Sequence, residues 1–163
     1  MRGLKDKVVV IAGGGAIGTA TVERLAQAGA RIVLGDLDGA HAAEVADRIC
    51  AGGADCMGMQ FDIADEASVA TLVVCAVERP GGIDALYANA ADLSIIHQDS
   101  DVLGEPLAVF DQTIRVNLRG HWLCTRAVLP ELLRRGGGSL VYTSSGAACM
   151  GEPVRPAYAV SKA

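Results

Sequence analysis

The run Val8-Val9-Val10-Ile11-Ala12 passes directly into Gly13-Gly14-Gly15-Ala16-Ile17-Gly18, and this junction restricts the fold more than any other part of the chain. A short, wholly apolar run that breaks at once into glycine reads as a buried strand, here Lys7–Ala12. Beyond the glycines, Ala16–Ala28 places Ile17, Ala20, Thr21, Leu25 and Ala28 on one helical stripe, and Gly29 stops the helix. The glycines match G-x-G-x-x-G in the strand-to-helix context that gives the pattern its meaning. Gly13 permits a tight turn, Gly15 lets the backbone approach a pyrophosphate, and Gly18 lets the helix pack closely on the strand. The helix start at Ala16 and Ile17 then offers free N–H groups to an anion.

The rest of the chain repeats the alternation. Strands are expected at Arg31–Gly35, Asp55–Gln60, Asp84–Ala88 and Ser139–Thr143. Between them, Asp38–Ala51 turns Ala42, Val45, Ala46 and Ile49 inward, and Asp65–Arg79 turns Val69, Leu72, Val73, Ala76 and Val77 inward. Pro80-Gly81-Gly82 reads as a turn and Ala91–Gly104 as a loop. Glu105–Leu133 reads as a long helical stretch with a bend near Gly120 and a kink from Pro130 in its last part. Ser144–Pro156 is a second loop, and a helix begins near Ala157. Strands alternating with helices through short connections imply parallel strands and right-handed crossovers. The expected fold is an α/β Rossmann-type doubly wound parallel sheet, one dinucleotide-binding domain over residues 1–163.

Asp36 ends the second strand, 18 residues after Gly18. A carboxylate there can accept bonds from adenosine ribose hydroxyls and repels a 2′-phosphate. No Lys or Arg lies in the glycine loop or just after Asp36, so NAD is expected over NADP. Asp38 is the better cap for the helix that follows.

Composition narrows the function classes. The formal net charge is −5 and no basic run occurs, which argues against a nucleic-acid partner and a polybasic membrane anchor. The first apolar run is too short and wrongly flanked for a signal peptide or membrane span. The five cysteines form no CxxC pair and no metal-ligand spacing, so free thiols, no metal site and a cytoplasmic location are expected.

Tyr158-Ala159-Val160-Ser161-Lys162 places a phenol and an ammonium at i and i+4, on one face of a helix. The ammonium favours phenolate, and a tyrosine so tuned can exchange a proton with an alcohol or carbonyl. Ser145 lies 13 residues earlier, after the fifth strand, where α/β sheets place their sites. Asn117 sits inside the long helix, where an amide is disfavoured by propensity and a polar role is plausible.

Taken in order, these features resemble the short-chain dehydrogenase/reductase family over Lys5 to Ala163. The matching sequence is the glycine loop, Asp62-Ile63 after the third strand, Asn89-Ala90-Ala91 after the fourth, Asn117, Ser145, then Tyr158 with Lys162. The resemblance implies Tyr158 as general acid/base and Lys162 as the group that lowers its pKa and bonds the nicotinamide ribose. It implies Ser145 as orienting the substrate oxygen, and Asn117 as supporting a water that links Lys162 to solvent. Asp62 would meet the adenine amino group, with the Ile63 N–H nearby. Leu37, Asn89, Ala90 and Ala91 join the cofactor-binding set. The chain departs from the family in a glycine loop one residue shorter, with Ala12 in place of the usual Thr. The usual N-N-A-G appears as Ala88-Asn89-Ala90-Ala91. It also ends where family members continue, so it is expected to be part of a longer subunit that forms a homodimer or homotetramer.

The leading expectation is hydride transfer between NAD and a secondary alcohol or ketone. A non-catalytic NAD-binding fragment or interaction module stands as the alternative, and a sugar-nucleotide epimerase-like activity as a weaker one. Asp92–Gly104 and Ala147–Arg155 are expected to line the substrate side. Leu93, Ile95, Ile96, Cys149 and Met150 would form partly apolar walls that select no particular substrate.

Overall fold

The computed structural model describes residues 3–79 and 81–163. Five parallel strands form one sheet: β1 (Val8–Ala12), β2 (Arg31–Asp36), β3 (Cys56–Gln60), β4 (Ala85–Ala88) and β5 (Ser139–Tyr142). Their order in space is β3-β2-β1-β4-β5. The chain therefore winds outward from β1 to β3, then returns to the other side of β1 for β4. This reversal leaves a crevice beyond the carboxyl ends of β1 and β4, the place where open α/β sheets bind ligands. The register brings those ends level: Ala12 pairs with Gly35 and Ala88, and Ala88 with Tyr142.

Strand β1 is buried along its whole length because helices cover both faces of the sheet. Alternate residues feed two cores. Val10, Ala12 and Val33 pack with α3 (Glu66–Val77) and α5 (His121–Arg134) through Val69, Leu72, Leu123 and Val128. Val9, Ile11, Ile32 and Leu34 pack on the other side with Val22 of α1 (Ala16–Gln27) and with Ala42, Val45 and Ala46 of α2 (Gly39–Ala51). Asp38 and Asp65 cap α2 and α3, accepting from His41 N and from Ala67 N and Ser68 N.

Several expectations are corrected. The buried residues of α1 are Gly18 and Val22, not the stripe through Ile17 and Ala20; Ile17 is 59% exposed. The close approach demanded at Gly18 sets the rotation of this helix, because a Cβ there would land on the Gly13 carbonyl oxygen. Val77 ends α3 at the surface rather than in the core. The long helical stretch comprises α4 (Leu107–Ile114), a π-helical turn over Arg115–Gly120, and α5; Glu105 and Pro106 precede it. The irregularity expected near Gly120 is thus the π turn, and Pro130 lies within an α5 that continues to Arg134. Helix α6 (Pro156–Ser161) begins with proline in its first turn, where no N–H is needed. In the turn expected at residues 80–82, Pro80 lies outside the described residues, while Gly81 and Gly82 adopt positive φ. No helix among the described residues is long and apolar enough to cross a membrane.

Candidate active site

A cleft of about 560 Å³ opens at the crevice between β1 and β4. Its floor is the glycine loop. Gly13 takes φ 110°, and a Cβ there would come within 2.5 Å of Ala90 N. Only glycine fits, because the chain must turn away from β1 while β4 continues beside it. Gly15, the N-cap of α1, adds no side-chain cap, and the first turn of α1 has no acidic residue. The N-terminal amides are therefore open to an anion.

Side chains hold this loop from three directions. Asp36 Oδ2 accepts from Gly14 N at 2.5 Å, while its Oδ1 accepts from Asp38 N at 2.9 Å. The Gly14 carbonyl accepts from Thr19 Oγ1 at 2.5 Å and pairs with His41 Nε2 at 3.0 Å. On the opposite side, Asn89 Nδ2 donates to the Gly13 carbonyl at 3.1 Å. Asn89 Oδ1 in turn accepts from Tyr87 Oη at 3.0 Å and Thr143 Oγ1 at 2.8 Å. A polar chain thus ties the glycine loop to the ends of β4 and β5.

The expected residues Gly13, Gly15, Ala16, Ile17, Asp36, Leu37, Asp62, Ile63, Asn89, Ala90, Ala91, Tyr158 and Lys162 all line the cleft. Three do not. Gly18 lies beneath the loop, as its packing requires. Asn117 is buried in the π turn, where Oδ1 accepts from Asp92 N at 2.8 Å and Nδ2 donates to Ser161 Oγ at 3.2 Å. Ser161 Oγ donates onward to the Tyr158 carbonyl at 2.8 Å, so Asn117 joins the cleft wall to α6. Ser145 stands at the end of β5, but its Oγ accepts from Ala147 N at 3.3 Å and caps the short 3-10 turn Gly146–Ala148.

The expected apolar substrate wall is also corrected. Of the five residues named for it, only Leu93 lines the cleft; Asp92, Ser94, Gln112 and Arg115 are there instead. The turns of residues 91–104 carry Ile95 and Ile96 away from the opening, while α4 and the π turn bring Gln112 and Arg115 to it. Burial alone would raise the Asp92 carboxyl, but bonds from Gln112 and Ser94, with Arg115 nearby, hold it below the ordinary carboxylate range. Asp92, Leu93 and Ser94 fall in the 92–104 stretch expected on the substrate side, whereas no residue of the expected 147–155 stretch borders the cleft. For Gln112 and Arg115 no sequence signal existed, since ordinary helix surface positions look the same.

Lys162 is 5% exposed, and burial pushes its pKa down. Its Nζ donates to the Thr143 carbonyl at 3.2 Å, which places the ammonium at the end of β5 beside the Asn89 chain. Tyr158 opens onto the same cleft one helical turn away. His121, unnoticed in the sequence, is buried below, with Nε2 at 2.8 Å from the Ala90 carbonyl. Burial lowers its pKa, and the nearby Lys162 charge lowers it further.

The family model for short chain dehydrogenases matches residues 6–163. The chain belongs to the short-chain dehydrogenase family. Among curated members, the chain is 38% identical to a probable short-chain type dehydrogenase/reductase of Bradyrhizobium diazoefficiens, over all of this chain and 58% of that one. It is 33% identical to a (-)-isopiperitenol/(-)-carveol dehydrogenase of Mentha piperita, over 99% of this chain and 61% of that one. Its fold superposes on a short-chain dehydrogenase/reductase from Burkholderia phymatum in complex with NAD with a TM-score of 0.90 at 28% identity, covering 99% and 57% of the two chains. The chain thus spans about 60% of the length of the relatives it matches.

Proposed function

We propose that this chain is the dinucleotide-binding and proton-transfer part of an oxidoreductase that moves a hydride between NAD and a secondary alcohol or ketone. The observation that carries the reading is that Tyr158 and Lys162 line the same cleft as the glycine loop and Asp36. The residues fit a dinucleotide. The Gly13 cradle would be filled by any Cβ, the N-terminal amides of α1 are uncapped, and Asp36 is placed to accept from ribose hydroxyls. The NAD-bound relative supports the cofactor class, and Asp36 with no adjacent cation favours NAD over NADP.

When bound, the nicotinamide supplies or accepts the hydride. Oxidation of a secondary alcohol would break one C–H and one O–H bond and form C=O, the hydride leaving to the bound cofactor and the proton to the Tyr158 oxygen. Lys162, one helical turn on, brings its ammonium to the same cleft, anchored on the Thr143 carbonyl. Asn117 holds α6 to the cleft wall through Ser161, and Ser145, whose Oγ accepts from Ala147 N, keeps its hydroxyl hydrogen free to orient a substrate oxygen. Asp62, Ile63, Leu37 and Ala91 border the adenosine side. The relative named as a carveol dehydrogenase supports an alcohol as substrate class.

The test is NADH binding by fluorescence followed by turnover of NAD with a panel of secondary alcohols. Tyr158→Phe is expected to lose turnover by at least about 10²-fold, the scale of general acid–base catalysis, with NADH affinity retained. NADH binding without turnover of any alcohol would favour the non-catalytic reading.

A further inference from the structure

The helix that carries Tyr158 does not cap itself. Its N-cap, Arg155, has φ 63° and ψ 47°, and its side chain makes no bond to the first turn. The cap comes from residues more than fifty positions earlier. Asp99 Oδ2 accepts from Tyr158 N at 2.7 Å, and Oδ1 accepts from Ala157 N at 3.3 Å. The next residue, Ser100, accepts from Arg155 N at 2.8 Å through its carbonyl. Two adjacent residues therefore take up three amides at the start of α6.

Asp99 is 4% exposed. A carboxylate at that depth is costly unless it is hydrogen-bonded, and the Ala157 and Tyr158 amides together with the Glu105 side chain are its partners. Glu105 stands beside it. Its own burial, the Asp99 charge and a side-chain hydrogen bond with Asp99 all raise the Glu105 carboxyl, while its Oε1 is buried with no hydrogen-bond partner among the described residues. A carboxyl bonded to the capping carboxylate is more than simple helix capping needs; a Ser or Asp at position 155 would cap α6 locally.

The consequence lies in where the shorter bond falls. It ends on the peptide nitrogen of Tyr158 itself, while Ser161 holds the Tyr158 carbonyl from the other side under the control of Asn117. Both ends of that residue's backbone are clamped. We infer that Asp99 is a positioning residue that sets the Tyr158 hydroxyl against the cleft by clamping its backbone amide from the 99–105 loop.

The inference rests on the reading of Tyr158 as the proton-transfer group, and its test keeps the two separable. Asp99→Ala and Asp99→Asn are made in the protein and compared with wild type by three measurements: amide hydrogen exchange over residues 155–162, phenolate absorbance titration with Tyr158→Phe as the blank, and NADH affinity. Asp99→Ala is expected to speed exchange at the first turn of α6 about tenfold and to move the Tyr158 titration, with NADH affinity within about threefold of wild type. Where an alcohol substrate is found, its kcat should fall about 10- to 100-fold, the cost of a small misplacement. Asp99→Asn keeps one acceptor oxygen and can donate to Glu105, so it should recover most of the loss. If Asp99→Ala fails to fold, Asp99→Asn decides, with exchange and titration near wild type supporting the clamp. Wild-type exchange and titration in Asp99→Ala, or an Asp99→Asn variant as impaired as Asp99→Ala, would overturn it. Absence of turnover in wild type would count against the proposed reaction alone, since exchange and titration still read the clamp.

Discussion

Asp36 Oδ2 accepts the Gly14 amide at 2.5 Å, so the residue that ends β2 also fixes the path of the glycine loop. The loop is one residue shorter than the family's usual pattern, and this bond anchors its second glycine. The carboxylate therefore has two tasks in one place: it shapes the anion cradle, and it presents acceptor capacity to the cleft.

The first prediction concerns that dual role. Asp36→Ala frees the Gly14 amide and removes the acceptor for ribose hydroxyls. Hydrogen bonds to a charged group contribute about 1.5–3 kcal/mol, so NADH affinity should fall at least about tenfold. Discrimination against NADPH should narrow as the negative charge is lost. Titration of both cofactors by calorimetry checks the affinity and the ratio together.

Gly18→Ala tests the packing beneath the loop. The new methyl would meet the Gly13 carbonyl oxygen, a backbone atom that cannot swing aside, so α1 must move away from β1. Displacement of the amide cradle is expected to abolish measurable NADH binding and to lower the thermal midpoint, read by calorimetry. An Ala variant that binds NADH as well as wild type would contradict the cradle geometry.

His121 carries a pH dependence of stability whose sign follows from its environment. Burial holds its pKa below the ordinary 6.5, and Nε2 must carry the hydrogen because the Ala90 carbonyl can only accept. Between the folded pKa and 6.5 the unfolded chain binds more protons than the folded one, so stability rises with pH across that window. The contribution is complete above 6.5 and is lost as the pH falls toward the folded value. His121→Gln, which can still donate to Ala90, should flatten the thermal midpoint against pH in the acid range.

Lys162 gives an effect of the same sign at higher pH. Its folded pKa is pushed below 10.5 by burial, so the cost of keeping the ammonium inside is present at neutral pH and fades as the pH approaches 10.5. Lys162→Met is expected to be more stable than wild type near neutrality, with the gain shrinking in alkali, while turnover is lost. Denaturant titrations at several pH values separate these outcomes. Greater stability with lost function is what a buried charge retained for chemistry predicts.

Much of the candidate site's lining was legible because it is built from local signals. The glycine spacing, Asp36 at a strand end, and Tyr158 four residues before Lys162 each follow from contacts a few residues apart. What sequence reading missed depends on distant pairs. Asp99 reaches α6, His41 reaches Gly14, and His121 reaches Ala90, across separations of 59, 27 and 31 residues. No periodicity marks such residues, since an Asp in a loop and a His in a first helical turn are unremarkable locally. The rotation of α1 was misread for a related reason: Ile17 and Ala20 look like a core stripe until Gly18 must touch Gly13.

By itself, the order of apolar strands, glycine breaks and helical stripes determined a parallel doubly wound sheet, because each element's period and ending are local properties of the chain. It also determined which end of the sheet holds the site, since the glycine loop and Asp36 both follow strands. Only the tertiary structure decided much of what borders the cleft: the π turn that buries Asn117, the polar Gln112 and Arg115 that join Asp92 where apolar side chains were expected, and the Asp99 clamp on Tyr158. The physical reason is that buried polar groups must find partners wherever the packed fold brings them, and those partners are chosen by proximity in space rather than along the chain.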